Sequence, residues 1–273
     1  MNEESWNRVR EFDYSTYDID RAEWDAQKPH GISGCFRVKD DAEFLYRAVT
    51  SHLPYLAEAV IVLQPSDRET YRVIAQLSNL PKVRVVNYPL APVFVTDDEW
   101  ASVPENSIHS FVYLSNYAVS RCMYSWVAQI EADVICLSTF AKIVQQVNTH
   151  KNEKALYGRY LLNVAGEKMD QVSKTVPRNG GWDEKVFPNH PDYHYIKKPK
   201  YEVITSPYKN INTGWSGLHM KRCKKDKIGW NDEKYTPFDP EHVAAALRAF
   251  NVDNAYVGPD NPEGEPCLFE VSL

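Results

Sequence analysis

The sequence predicts an α/β fold, a mostly parallel sheet flanked by helices, and two observations point to it. Over residues 31–86, short apolar runs alternate twice with capped amphipathic helices across brief turns. That is the pattern of parallel strands joined by right-handed crossovers. Further along, the apolar stretch Tyr124 to Leu137 carries Glu131 and Asp133, separated only by Ala132. A strand interior cannot hold two unpaired carboxylates, so the acids belong at the strand's exit, the edge of an open α/β sheet where ligands bind. Two carboxylates there can hold a divalent cation, which can in turn hold a diphosphate. Taken alone, a Glu-x-Asp pair is more often a solvated loop.

Residues 1–30 are polar and aromatic without a clear period and read as an arm packed on the domain. Gly31 to Val38 is a short apolar strand, and Asp40-Asp-Ala-Glu43 has capping-box spacing, with Asp40 in the capping place. The helix that follows buries Phe44, Leu45, Ala48, Val49 and Leu53 and closes at Pro54. Ala59 to Leu63 is a second strand; Ser66 and Glu69 repeat the capping-box spacing, and the next helix turns Tyr71, Ile74, Ala75 and Leu77 inward. Val83 to Val86 is a third strand.

Residues 88–106, with three prolines, are too long for an idle connection and suggest a functional loop or flap. A helix from about Ser107 to Arg121 buries Phe111, Leu114 and Ala118 and leads into the acidic strand. Ser138 caps a helix with Phe140, Ile143, Val144 and Val147 on one face, and Leu156 to Val164 is a further strand. Periodicity is lost from Gly166 to Lys200, where Gly180-Gly-Trp-Asp-Glu-Lys-Val-Phe-Pro-Asn-His-Pro-Asp192 suits a substrate-facing insertion or an irregular surface segment. Tyr201 to Ile204 and Thr213 to Met220 read as strands, followed by a basic stretch, a helix from Pro240 to Phe250 and a loop-like tail.

A chain of 273 residues can bury a sizeable core as one large domain or one and a half. Its net charge of −6 gives no electrostatic footprint for nucleic acid. No run approaches a membrane-spanning helix, and the amino terminus lacks the order of a signal peptide, so the expected location is cytoplasmic. Five scattered cysteines without a Cys-x-x-Cys favour buried free thiols over a zinc knuckle or disulfide frame.

The order of these parts resembles the family 2-like glycosyltransferases of the GT-A fold. Arg37-Val-Lys-Asp-Asp-Ala-Glu-Phe-Leu45 is similar to that family's opening turn and helix. Leu63-Gln-Pro-Ser-Asp-Arg-Glu-Thr70 is similar to its second strand exit, and Asn116 to Arg121 with Trp126 to Asp133 to its helix and Asp-x-Asp strand. The resemblance covers roughly residues 31–220. It implies a GT-A-like single domain over 31–220 with a nucleotide-binding sheet, an amino-terminal arm over 1–30, and an acceptor-side helical extension and tail over 221–273.

The resemblance further implies an inverting, metal-dependent transfer of a sugar from a nucleotide-sugar donor to a hydroxyl of a glycan or glycolipid acceptor, in surface polysaccharide biosynthesis. The protein would have no transmembrane segment, and peripheral membrane contact is compatible with this role. Mn²⁺ or Mg²⁺ would be held by Asp133 and Glu131. His219 falls where a late histidine completes such a site, or is a satisfied histidine at a strand end. Arg37, Asp41, Gln64 and Asp67, with Glu131, would cradle the nucleotide.

In an inverting transfer one carboxylate must take the acceptor hydroxyl's proton. Asp183 and Glu184 fall where the resemblance places that base, with Asp192 in reserve. Trp182 and Tyr193 would stack on the acceptor sugar or pack the loop onto the domain. Two departures from the family pattern are Glu131, longer by a methylene than the usual Asp, and Gln64 in place of an acid. The alternatives are a sugar nucleotidyltransferase and a noncatalytic nucleotide- or sugar-binding module. The first would open with a glycine- and basic-rich loop after the first strand, for which Gly31-Ile-Ser-Gly34 is too sparse.

Overall fold

In a computed structural model, residues 17–149, 156–165, 171–174, 184–206 and 210–222 are described, with three further two-residue strands at 236–237, 257–258 and 269–270. The helices are α1 (Arg21–Asp25), α2 (Ala42–His52), α3 (Arg68–Leu77), α4 (Phe111–Ser120) and α5 (Phe140–Thr149). The principal strands are β1 (Ile32–Val38), β2 (Glu58–Leu63), β3 (Val83–Asn87), β4 (Trp126–Ile130), β5 (Val134–Cys136), β6 (Leu156–Ala165), β7 (Gln171–Lys174), β8 (Glu184–Pro188), β9 (Tyr195–Lys198), β10 (Tyr201–Ile204) and β11 (Asn210–Arg222).

Four strands form the parallel half of the sheet in the order β3-β2-β1-β4. Every residue of β2 and β4 is buried. Apart from Glu58 and Gln129 they are apolar throughout, as a strand covered on both faces requires. Beyond β4 the sheet turns antiparallel through β8, β6 and β7. β11 runs parallel to β6 and pairs antiparallel with the short β5. The fold is therefore mixed α/β, with a mostly parallel centre flanked by helices.

Two apolar layers enclose this sheet. On one face Phe36, Leu45, Val49, Ile61 and Phe140 pack together; on the other, Val60, Val62, Val127, Leu114 and Ala118 do so. Each such valine, leucine, isoleucine or phenylalanine contributes about 1.5–3 kcal/mol on leaving water. A Cβ on Gly34 would come within 2.5 Å of Leu56 Cδ1, so this glycine serves close packing inside β1 and not a phosphate loop. Part of the expected arm is also built in: Asp20 caps α1 by accepting from the Ala22 and Glu23 amides, and buried Trp24 donates to Asn189.

Several local readings are corrected. Asp40 does not cap α2. It adopts a left-handed backbone (φ 54°), and its Oδ1 accepts from the Asp67 amide at 2.8 Å, tying the exits of β1 and β2 together. The first residue before α2 is Asp41, which makes no side-chain cap bond. Asp67, one residue beyond Ser66, caps α3 by accepting from the Thr70 amide at 2.7 Å. The inward face of α3 is Thr70, Ile74 and Leu77, which leaves Tyr71 and Ala75 exposed. α4 starts at Phe111 because the preceding residues bridge to Val93, whose amide donates to the His109 carbonyl at 2.7 Å.

The 88–106 connection packs onto the domain at four of its residues. Tyr88, Val93, Trp100 and Val103 are buried in the second apolar layer, and the Trp100 indole donates to the Lys198 carbonyl at 3.0 Å. The helix expected at 240–250 and the basic stretch before it lie outside the described residues, apart from the end of β11.

Candidate metal centre

β4 ends at Ile130, and the chain turns at once: the Val134 amide donates to the Glu131 carbonyl at 3.1 Å, so Glu131, Ala132 and Asp133 form the corner between β4 and β5. Ala132 is buried at this corner. The Glu131 side chain is 39% exposed and that of Asp133 only 7%, so one acid faces the opening and the other lies beneath it. Pairing of β11 with β5 sets His219 opposite Val134, and the Met220 amide donates to the Asp133 carbonyl at 2.9 Å. That register carries His219 Nε2 to 3.1 Å from Glu131 Oε2 and 3.5 Å from Asp133 Oδ1.

One ligand atom from each residue falls within a 4.8 Å cluster, the only such group of three among the described residues. Adjacent ligands of a cation bound at about 2.1 Å in octahedral geometry sit roughly 3 Å apart, so these side chains already stand near chelating distance. Two carboxylates and an imidazole suit Mn²⁺, and Mg²⁺ less well through its preference for oxygen.

The centre lies at a topological switch point. From β1 the chain proceeds to β2 and β3 on one side, then crosses to β4 on the other, so the crevice opens between the exits of β1 and β4. The register pairs Phe36 with Ile130, which makes Arg37 and Glu131 the next residues out on adjacent strands. The Arg37 guanidinium stacks over Phe111 at 4.6 Å and lies 5.5 Å from the Tyr195 ring, donates to Ser115 Oγ, and sits 3.7 Å from Glu202 Oε1. Burial pushes its pKa down, but Tyr195, Glu202, Cys35 and Glu131 together hold it above the ordinary value.

Tyr195 is itself fixed. Its hydroxyl donates to Gln129 Oε1, and its backbone is gripped by Asn116, which accepts from the amide at 2.7 Å and donates to the carbonyl at 2.9 Å. Burial raises the Tyr195 pKa, so the phenol stays protonated. The hairpin β9–β10, carrying Tyr195 and Glu202, is thus pinned beside the crevice.

Gln64 is buried at the exit of β2, its backbone N–H donating to the Val38 carbonyl at 3.0 Å. Asp41 and Asp67 lie at the exits of β1 and β2, and the Asp67 carboxylate is engaged by the Thr70 amide. Asp183 and Trp182 lie outside the described residues. Glu184 begins β8; counting back from Val186, which pairs with Ala128, it stands level with Ile130 at the same edge as Glu131.

Asp192 is not brought to the cluster. The Asn189 amide donates to the Ser125 carbonyl, so this turn lies at the opposite end of β4, roughly 15 Å away along five residues of strand. There Asp192 is 3.3 Å from His190 Nδ1, while His190 Nε2 is 2.8 Å from Asp25. Tyr193 is buried and stacks on Phe187, which is a packing role and not an acceptor-facing one. Sequence reasoning missed Asn116, Gln129, Tyr195 and Glu202, because their grouping depends on a hairpin folding back over the sheet and no local spacing announces it.

No family model matches the chain, and no curated protein matches it. Similar solved structures include TarS of S. aureus, at 11% identity over 70% of this chain and 60% of that one, with a TM-score of 0.44. This chain therefore spans less than two thirds of that structure. Another is glucosyl-3-phosphoglycerate synthase from Mycobacterium tuberculosis in complex with Mn²⁺, uridine diphosphate and phosphoglyceric acid, at 13% identity over 93% and 90% of the two chains, with a TM-score of 0.43. A third is 4-diphosphocytidyl-2C-methyl-D-erythritol synthase from Anaerococcus prevotii, at 9% identity over 59% and 70%, with a TM-score of 0.31. Scores this low describe a loose likeness of outline and assign neither family nor activity.

Proposed function

We propose that this protein is a metal-dependent glycosyltransferase of GT-A type, moving a sugar from a nucleotide-sugar donor to an acceptor hydroxyl with inversion. The observation that carries the reading is the grouping of Glu131, Asp133 and His219 at the switch-point exit of a parallel sheet. A bound Mn²⁺ or Mg²⁺ would supply positive charge against the diphosphate leaving group.

Asp133, Glu131 and His219 would hold the cation. The exits of β1 and β2, with Arg37, Asp41, Gln64 and Asp67, would receive the nucleotide. Asp183 or Glu184 would accept the proton of the attacking hydroxyl; the register of Glu184 at the Glu131 edge supports the second of these. The acceptor would be a glycan or glycolipid in surface polysaccharide assembly, with the enzyme on the cytoplasmic side. No helix among the described residues is long and apolar enough to cross a membrane.

The test is release of nucleoside diphosphate from a panel of nucleotide sugars, with and without Mn²⁺. Slow metal-dependent release is expected, abolished by chelation and by Asp133→Asn. Pyrophosphate exchange would make the chain a nucleotidyltransferase, and binding without turnover would make it a noncatalytic module. Either result would overturn the proposal.

A further inference from the structure

We infer that Glu202 sets the cation affinity of the centre through Arg37, acting as a positioning residue that offsets the guanidinium charge beside Glu131. This rests on the metal reading of the Glu131, Asp133 and His219 cluster and adds to it a third acid, placed by the β9–β10 hairpin.

Arg37 and Glu131 follow a paired couple on neighbouring parallel strands, Phe36 and Ile130, so their backbones stand about one strand spacing apart at the mouth of the crevice. A guanidinium there has two effects on a cation site, and both oppose binding. It repels the incoming charge directly, and it offers Glu131 a competing partner. Nor can Arg37 move aside, since Phe111, Tyr195 and Ser115 hold it, and Tyr195 is held in turn by Asn116 and Gln129.

Glu202 lies on the other side of this fixed charge. Its Oε1 is 3.7 Å from Arg37 Nη1, and its side chain is 19% exposed, shielded enough for the attraction to be felt. Arg37 thus feels the charge of two carboxylates, Glu202 of the hairpin and Glu131 of the metal corner. With Glu202 balancing the guanidinium, Glu131 can turn to the cation and His219. Without it, the charge of the guanidinium is left to draw on Glu131 across the neighbouring strand.

The experiment measures the Mn²⁺ dissociation constant by the loss of the free-ion electron paramagnetic resonance signal, without donor or acceptor. Glu202→Gln should weaken binding roughly tenfold, the scale of one nearby charge a few ångströms away, and Glu202→Asp should recover most of it. In an Arg37→Gln background, the same Glu202→Gln change should shift binding by only about twofold, since the intermediary is gone.

Arg37→Gln alone should bind Mn²⁺ more tightly than the parent, which keeps the inference testable if Glu202→Gln does not fold. An unchanged constant in Glu202→Gln, an equal shift with and without Arg37, or weaker binding in Arg37→Gln overturns the coupling while leaving the metal centre intact. If the parent protein shows no Mn²⁺ binding that Asp133→Asn removes, the metal reading itself fails, and the inference with it.

Discussion

His219 Nε2 stands 3.1 Å from Glu131 Oε2 because β11 pairs with β5 in a register that sets His219 against Val134, one residue past the second acid. Three side chains from two distant segments are therefore held by backbone hydrogen bonds before any cation arrives. A preformed site loses little order on binding, so its affinity should depend steeply on each ligand and its fold hardly at all. Asp133→Asn keeps the shape of the buried side chain and relieves repulsion between the acids. It should weaken Mn²⁺ binding by roughly a hundredfold or more, while the melting temperature stays within about 4 °C of the parent. Calorimetric titration and a thermal melt check the two halves.

Acid should weaken the same site, with a sign fixed by the imidazole. His219 ligates only when Nε2 is unprotonated, so every proton it takes up must be displaced by the cation. Mn²⁺ affinity should fall as the pH drops, approaching about one order of magnitude per unit once the histidine is mostly charged. His219→Gln should bind more weakly at neutral pH and show a shallower dependence on mild acidification. Titrations from mildly alkaline to mildly acidic buffer distinguish the two profiles.

The parallel half of the sheet was legible because strands such as β2 and β4 are buried on both faces and read as mainly apolar runs. Glu131 and Asp133 stood out for the same reason, as charges where a buried strand could not keep them. Cap choices one residue apart were not legible: Asp40 and Asp41, or Ser66 and Asp67, have equal chemistry, and the decision came from Asp40 bridging to the Asp67 amide across two loops. The Arg37–Glu202 pair was hidden more deeply. Glu202 sits in Tyr-Glu-Val-Ile, an ordinary strand, and only the folding of the hairpin against α4 through Asn116 gives it a partner.

The opposite end of the sheet offers a control. Glu58 is buried at the start of β2, where Oε1 accepts from Ser33 Oγ at 2.7 Å and the Met123 amide at 2.6 Å, and Oε2 lies 3.2 Å from Arg84. Glu58→Ala removes every one of these acceptors and strands the buried Ser33 hydroxyl, which should cost about 3 kcal/mol of stability. Because the carboxyl edge is a strand length away, Mn²⁺ affinity of the remaining folded protein should match the parent. Denaturant unfolding and metal titration of the same preparation test both statements.

Asp67 separates a structural acid from a nucleotide-binding one. The Thr70 amide bonded to its carboxylate favours the ionised form and holds the pKa below the usual carboxylate value. A depressed folded-state pKa means that ionised Asp67 stabilises the fold above the unfolded-state carboxylate range. That contribution is lost as the pH falls through the lowered value. Asp67→Ala should therefore lower the melting temperature at neutral pH, and the gap to the parent should close in acid, where both proteins have lost the cap. Asp67→Asn retains a capping oxygen and should lie nearer the parent at neutral pH, with a flatter acid limb. A residue acting only on the donor would leave both melting curves unchanged and alter nucleoside diphosphate affinity alone, so melts across pH, paired with a diphosphate titration, assign its role.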